Sequence, residues 1–365
     1  MVLNSLNITN FRNYKSLFLK LNESINIIYG KNGEGKTNIL ESIYYLGTTK
    51  SHRTSSDKIL CKDNEKDFLV SGMVDDEILP KKIEIAYISE KKNLKVDETK
   101  IKKVSDFINY FNVIIFYPEE LDIIKGTPTN RRNFINDELS GLQNTYYRVL
   151  QDFNKLLKMR NEYLKQDKFD EFYFEALTKH YIDKSILIYK MRKKFIERIN
   201  EYIEQIYYDI MEIKDFKIVY KINDIDEDDI NIRTLEQKYE DIMYEERKYS
   251  KTLFGPQKDD LAFFINGKNA KDYASQGQQR AAIIAFKLAV IELYKKYKND
   301  TPILLLDDVF SELDNLKKDN LLKYISKNIQ TIITTTELDN IDKKIIKKAQ
   351  LIQVKNGIVK TEEVE

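Results

Sequence analysis

The chain of 365 residues has one cysteine and nearly equal numbers of basic and acidic residues, 60 against 59. It contains no run of about 18 apolar residues, the length a membrane-spanning helix requires. Each shortage excludes a class of protein. With Cys61 alone there is no internal disulfide and no zinc finger, and a reducing compartment is the expected setting. The missing apolar run, with a strand-like start at Met1-Val2-Leu3-Asn4, predicts a cytoplasmic protein with neither signal peptide nor membrane span. A net charge of +1 excludes a wrapped, histone-like mode of nucleic-acid binding, so any DNA contact must come from local patches. Nothing reads as a helix-turn-helix that would inspect base edges.

What is present is a phosphate loop. Residues 30–37 read Gly30-Lys31-Asn32-Gly33-Glu34-Gly35-Lys36-Thr37, a full match to GxxxxGK[ST]. The preceding Ile25–Tyr29 run is β-branched and reads as a strand. The run from Asn38 to Leu46 has helical apolar spacing. Strand, glycine loop and helix N-terminus form an anion trap in which backbone N–H groups and the helix dipole face a phosphate. In that setting Lys36 reaches the β/γ-phosphates of ATP and the Thr37 hydroxyl ligates Mg²⁺. A second acid-bearing strand, Ile303-Leu304-Leu305-Leu306-Asp307-Asp308, reads as buried on both faces, as in a parallel sheet. Asp307 at its end is the second Mg²⁺ holder, and Asp308 is placed to position the attacking water.

Residues 275–280, Ser275-Gln276-Gly277-Gln278-Gln279-Arg280, open a further helix with Ser275 as its N-cap. The segment resembles the signature of ABC ATPases, followed by a D-loop-like Ser311-Glu312-Leu313-Asp314. That resemblance implies that Ser275, Gly277 and Gln278 cap a nucleotide held by a second copy, in an ATP-dependent head-to-tail homodimer.

The middle of the chain differs in texture. Ile135, Leu139, Leu142, Tyr146, Val149, Phe153 and Leu156 step by three and four and predict one long helix. A second run carries Ile188, Met191, Phe195, Ile199, Ile203, Ile206, Ile210 and Ile213. The polar segment 165–170 separates them, so an antiparallel α-hairpin is expected. The fold class is therefore α/β: an ABC/SMC-type phosphate-loop ATPase lobe with a mixed sheet (1–125 and 251–365) plus an inserted helical lobe (126–250). The pair Asn266-Gly267 predicts a hairpin turn. Basic residues gather at Arg131-Arg132, at Lys50-Ser51-His52-Arg53, and at Lys190, Arg192, Lys193, Lys194 and Arg198. They are candidate contacts to DNA phosphates.

Taken in order, the segments Asn10-Phe11-Arg12-Asn13-Tyr14, the phosphate loop, Lys50–Thr54, Pro118–Asp122, Gly255–Leu261, Ser275–Arg280 and Leu306–Asp314 resemble the bacterial RecF family of ABC/SMC-type ATPases. The resemblance spans nearly the whole chain. It implies an ATPase, weak and stimulated by DNA, that acts in recombinational repair and replication on duplex and single-strand or gapped DNA. RecR and RecO would be its partners, with RecA loaded indirectly and the SOS response supported. It also implies nucleotide contact by Arg12. Thr336 stands where ABC ATPases carry a switch histidine, and Asp308 stands where they carry glutamate, so hydrolysis should be slow. An ABC-transporter ATPase subunit shares the three nucleotide motifs but leaves the remaining matches unexplained. A structural SMC-like tether would need a far longer coiled coil.

Overall fold

A computed structural model of the protein describes residues 1–75, 79–108, 110–226, 229–312, 318, 321 and 329–362. The N-terminal part pairs β1 (Val2–Phe11), β2 (Tyr14–Lys20), β4 (Phe68–Asp75), β5 (Lys81–Ile88), β6 (Lys91–Val96) and β7 (Thr99–Ile101) into an antiparallel sheet of order β2-β1-β4-β5-β6-β7. Between its strands run β3 (Ile25–Tyr29) and α1 (Lys36–Thr48), and α2 (Val104–Phe107) follows. A second sheet has the order β15-β14-β3-β13-β12-β8, where β8 is Val113–Phe116, β12 Ile303–Asp307, β13 Thr331–Thr335, β14 Ala349–Lys355 and β15 Ile358–Glu362. Its pairs are parallel except for β14 with β15, so the sheet is mixed, as expected. All five residues of β12 are buried. Burying each leucine there contributes about 1.5–3 kcal/mol, which explains why this strand lacks the polar alternation of an edge. One apolar core joins Leu3, Leu6 and Ile8 of β1, Ile39, Ile43 and Leu46 of α1, and Ile303 and Leu305 of β12.

The remaining elements are α3 (Pro128–Leu142), α4 (Asn144–Tyr163), α5 (Glu171–Met211), β9 (Phe216–Lys221), α6 (Ile232–Tyr249), β10 (Asp260–Ile265), β11 (Lys268–Asn269), α7 (Ala270–Tyr273) and α8 (Gln276–Lys298). The chain clusters into one compact unit of Met1–Asp122, Tyr208–Glu212 and Ile283–Glu365, and a second of Ile123–Tyr207 and Ile213–Ala282. In the second, β9, β10 and β11 form a small antiparallel sheet. Its β10–β11 turn is the Asn266-Gly267 hairpin, with φ of 50° and 70° at the two residues. Those left-handed values are the ones a type I′ turn demands.

The predicted single helix over 135–156 is two helices. Gln143 takes an extended backbone (φ −132°, ψ 104°), ending α3 and preceding α4. Ser140-Gly141 on one side and Asn144-Thr145 on the other are weak helix formers, so the break falls where continuing the helix gains least. It also turns the apolar stripe. Leu150 becomes a buried position and Val149 and Leu156 are left half-buried. Beyond the 165–170 segment, α5 runs back antiparallel to α4. The pairs Arg160 with Thr178, Asp152 with Lys184 and Tyr146 with Arg192 fix that direction.

Two residues placed in the basic clusters are not surface charges. Arg192, 2% exposed, lies 3.4 Å from the buried Asp259. It also donates to the Tyr146 hydroxyl (3.0 Å), Asn136 Oδ1 (3.0 Å) and the Pro256 carbonyl (2.9 Å). Arg131 is buried and makes a two-pronged pair with Asp260 at 2.6 and 2.8 Å. Their spacing along the chain with Lys190–Arg198 and Arg132 is that of a patch, yet the guanidinium groups face inward where carboxylates and carbonyls satisfy them. Removing one partner of such a pair strands the other charge. Arg192→Met is expected to lower stability by about 3–5 kcal/mol, whereas Lys190→Ala on the exposed side of α5 should stay within about 0.5 kcal/mol. Unfolding followed by circular dichroism decides the matter, and equal effects of the two changes would contradict a structural role for Arg192.

Candidate functional site: a nucleotide-phosphate loop

The sheet register builds the site. Ile28 of β3 pairs with Thr334 of β13, and Thr334 pairs with Asp307 of β12. Because the three strands are parallel, their C-terminal ends share one edge, and the loop leaving β3 meets the carboxylate ending β12. The loop needs its glycines. A Cβ at Gly30 would lie 2.1 Å from the Val354 carbonyl oxygen, and Gly35 holds φ 112° with Asn13 and Tyr14 atoms within 2.7 Å of any added Cβ. A Cβ at Gly33 would meet nothing within 4 Å, so the loop crest is open.

Gly35 is the N-cap of α1 and no side chain caps this helix, which leaves first-turn N–H groups to face an anion. Lys36 Nζ donates to the carbonyls of Gly30 (2.6 Å) and Lys31 (2.9 Å), stretching the ammonium across the loop. Burial lowers the Lys36 pKa, against the raising influence of Asp308, Glu34 and Asp307. Within the loop, the Lys31 N–H donates to Glu34 Oε2 at 2.8 Å. Asn32 lies on the exposed crest.

The Thr37 hydroxyl donates to Asp307 Oδ1 at 2.9 Å, and the Thr334 hydroxyl donates to the same oxygen at 2.7 Å. Burial raises the Asp307 pKa and the Asp308 charge adds to that, while the two threonine hydrogen bonds work in the opposite direction. Among the described residues no group of three or more His, Cys, Asp or Glu could hold a metal by itself. A hydroxyl and one carboxylate beside a phosphate cradle nonetheless suit Mg²⁺, which takes few protein ligands and completes its shell with phosphate oxygens and water. The residues fit a nucleotide with its metal. Asp308 has a left-handed backbone, φ 50°, held in place as its N–H donates to the Thr334 hydroxyl at 3.0 Å. Strain of this kind persists where neighbouring contacts fix it.

Arg12 is placed beside the loop through α1. Its Nε and Nη2 bind both oxygens of Glu41 at 2.8 and 2.6 Å. Burial alone would raise the Glu41 pKa, but hydrogen bonds from Arg12 and Ser51 and the charges of Arg12 and Arg53 outweigh it and hold it low. Arg53 also donates to Asn38 Oδ1 at 2.9 Å. The same N-terminal segment buttresses the loop: Tyr14 Oη donates to the Gly35 carbonyl (3.1 Å) and Asn13 Nδ2 to that of Glu34 (3.4 Å). Thr334, Glu41, Asn13 and Tyr14 were not assigned roles from sequence. Asn13-Tyr14 was visible within a recognised segment, whereas Thr334 is defined only by its strand neighbours. Thr336, expected at the switch position, follows the end of β13 and is half-buried.

His52 is not part of a basic patch. Its ring packs against Tyr44 and Tyr117, with centroids 5.6 and 4.9 Å apart, and neither nitrogen has a hydrogen-bond partner. Burial pushes its pKa down to about 4, with Glu41 opposing and Arg53, Lys287 and Arg12 assisting.

In the second unit, Ser275 and Gln278 bond reciprocally. The Gln278 N–H donates to Ser275 Oγ (3.3 Å) and the Ser275 N–H to Gln278 Oε1 (2.8 Å). This capping box starts α8, with Ser275 exposed and Gly277 half-buried in its first turn. Of the D-loop-like segment, Leu313 and Asp314 lie outside the described residues.

A mixed sheet carrying a phosphate loop, a facing aspartate and a separately capped signature helix defines an ABC/SMC-type ATPase fold. The RecF/RecN/SMC N terminal domain family matches residues 2–360. DNA replication and repair protein RecF of Listeria monocytogenes serovar 1/2a is 37% identical over 368 residues, covering 99% of this chain and all of that protein. That of Streptococcus gordonii is 37% identical over 365 residues, with 99% and 100% covered. The chain belongs to the RecF family of DNA replication and repair proteins. A solved structure of the recombination mediator protein RecF with ATP in the RecFOR pathway is 31% identical, with a TM-score of 0.90 over 99% of this chain and 98% of that one. An Smc head bound to the C-winged helix domain of ScpA, 14% identical with a TM-score of 0.57 over 99% of this chain and 98% of that one, shares the fold.

Two outcomes test this geometry. Thr334→Val removes one hydrogen bond to a charged carboxylate, worth about 1.5–3 kcal/mol, and should weaken Mg²⁺-dependent nucleotide binding roughly ten- to a hundredfold in calorimetry. Unchanged binding would contradict the role of β13. For His52 the folded pKa lies below the unfolded 6.5, so its contribution is present above pH 6.5 and lost as pH falls toward 4. The urea midpoint should therefore drop over that window in the native protein and drop less in His52→Phe, which keeps the ring stack.

Proposed function

We propose that this protein is an ATP-dependent DNA-binding ATPase of recombinational repair and replication. It closes head-to-tail as a dimer around two ATP molecules and holds duplex DNA near single-strand gaps. With RecO and RecR it promotes RecA loading and so supports the SOS response. The observation that carries the reading is the Thr37–Asp307 contact at the mouth of the phosphate loop, within a chain similar to RecF from end to end. The RecF–ATP and RecF-ATPrS structures in the RecFOR pathway support ATP as the nucleotide and RecO and RecR as partners.

Bound ATP·Mg²⁺ supplies the phosphoryl group and the charge that neutralises it. Gly30–Gly35 would present backbone N–H groups to the phosphates, Lys36 would add a cation, and Thr37 with Asp307 would hold Mg²⁺. Asp308 orients the attacking water and accepts its proton. The aspartate side chain is shorter than glutamate, and Thr336 cannot carry charge, so turnover is slow. Arg12, locked on Glu41, supports nucleotide contact from the N-terminal segment. The exposed Ser275 and the first turn of α8, with Gly277 and Gln278, cap the nucleotide of the second copy. The similarity to RecF extends over the whole chain and not the nucleotide motifs alone, which favours this reading over the ATPase subunit of a transporter.

With Arg131 and Arg192 engaged inside the fold, the DNA-facing charges on α5 reduce to those at its surface, Lys190 and Lys194 foremost. Phosphate contact of this kind is independent of base sequence.

Three outcomes follow from this assignment. Ser275→Arg should leave the ATP affinity of the monomer within about twofold while dimerisation and hydrolysis fall together, and hydrolysis that survives the change and is independent of protein concentration would contradict the composite site. Asp308→Asn should bind ATP normally and accumulate as a dimer. The slope of log DNA affinity against log salt should steepen with ATP, and Lys190→Ala with Lys194→Ala should flatten it by roughly one per lost contact. Equal slopes with and without ATP would refute the clamp.

A further inference from the structure

One groove in the helical part of the second unit is lined by none of the residues assigned above to nucleotide or DNA. It encloses about 360 Å³ between α5 and α6, with Arg160 of α4 at its base. On α5 its lining residues follow helical spacing, Glu171, Phe174, Glu175, Thr178, Lys179 and Ile182, and on α6 they are Glu236, Tyr239, Glu240 and Met243. Each wall thus sets two carboxylates one turn apart over an apolar floor of Phe174, Ile182, Tyr239 and Met243.

The cations of the groove are already engaged. Arg160 pairs with the buried Glu246 at 2.6 Å and lies against the rings of Phe174 and Tyr239, 4.7 and 4.8 Å from their centroids. Lys179 pairs with Glu175 at 2.9 Å. Among the described residues Glu171, Glu236 and Glu240 form no ion pair within 4.0 Å, and the one lysine of the lining, Lys179, faces both Glu175 and Glu236, so the rim carries a net negative charge. Next to it on the same two helices stand Phe172, 86% exposed, and Tyr244, 80% exposed. These exposed rings add apolar surface beside the floor, and aromatic residues are enriched where one protein meets another.

We propose that this groove docks a basic amphipathic segment of a protein partner, which inserts an apolar side chain onto Phe174 and Met243 and sets arginine or lysine over the Glu236–Glu240 and Glu171–Glu175 walls. The charge rules out the other large ligands a repair protein meets, because nucleic-acid phosphates are repelled by the same carboxylates. Helix-in-groove recognition uses this spacing of anchors, and matched charge sets both encounter rate and specificity. The partner surface is thereby separated from the cationic residues of α5 proposed for DNA, so both can be occupied together.

The probe is a fluorescein-labelled twelve-residue peptide of leucine and arginine at i, i+4 spacing, titrated with the full chain and read by anisotropy. A counterpart has glutamate for each arginine. The arginine peptide should saturate and the glutamate peptide should bind at least tenfold more weakly. Glu236→Lys with Glu240→Lys should weaken the arginine peptide at least tenfold while ATP affinity and the thermal midpoint stay unchanged, showing that the variant is folded. The proposal is overturned by any of three results: no saturable binding, equal binding of the two peptides, or equal binding by the double variant. Nucleotide-free self-association that the double variant abolishes would assign the groove to a second copy of the chain instead, and would also overturn it.

Discussion

The parallel register of β3, β13 and β12 is the constraint on which the site depends. Thr37 and Asp307 are 270 positions apart in sequence, and only this pairing brings their side chains to 2.9 Å. The middle strand does more than space them. Thr334 fixes one oxygen of Asp307 through its hydroxyl and holds the Asp308 backbone by accepting its N–H. A single threonine thus contacts both acids, the side chain of Asp307 and the backbone of Asp308. The buried leucines of β12 set that register, since a slip by one residue would reverse which side chains meet α1.

Local signals were legible in the sequence because their physics is local. The phosphate loop, its strand and helix, the Asn266-Gly267 turn and the Ser275 cap each involve residues within a few positions of one another. Thr334 was not legible, because nothing around it distinguishes it from Thr335 and its role is conferred by a neighbouring strand. The break at Gln143 was hidden by an apolar stripe that continues across it, although Ser140-Gly141 and Asn144-Thr145 carried the weak-helix signal. Charge was the least readable property. Arg192 follows Lys190 and precedes Lys193 and Lys194, yet its partners Asp259 and Pro256 come from more than 60 positions away. Arg12, read as a nucleotide contact, is anchored on Glu41, a buried carboxylate whose pairing sequence does not announce.

A near-neutral chain can still act on a polyanion if its charges are sorted. Part of the basic excess is spent inside on Asp259 and Asp260, and a block of acidic residues lines the α5–α6 groove. What remains on the surface of α5 is a small cationic set, Lys190 and Lys194 foremost, which the proposed dimer would present twice to one duplex.

We propose that Asp307 acts through Mg²⁺ and that the parallel register of β3, β13 and β12 serves to place it. ATP affinity measured by calorimetry for the native protein and Asp307→Asn, each with Mg²⁺ and with EDTA, tests it most directly. The native protein should lose affinity on chelation down to the level of the variant, and the variant should respond little to Mg²⁺. A variant that keeps the full Mg²⁺ dependence of the native protein would contradict the account.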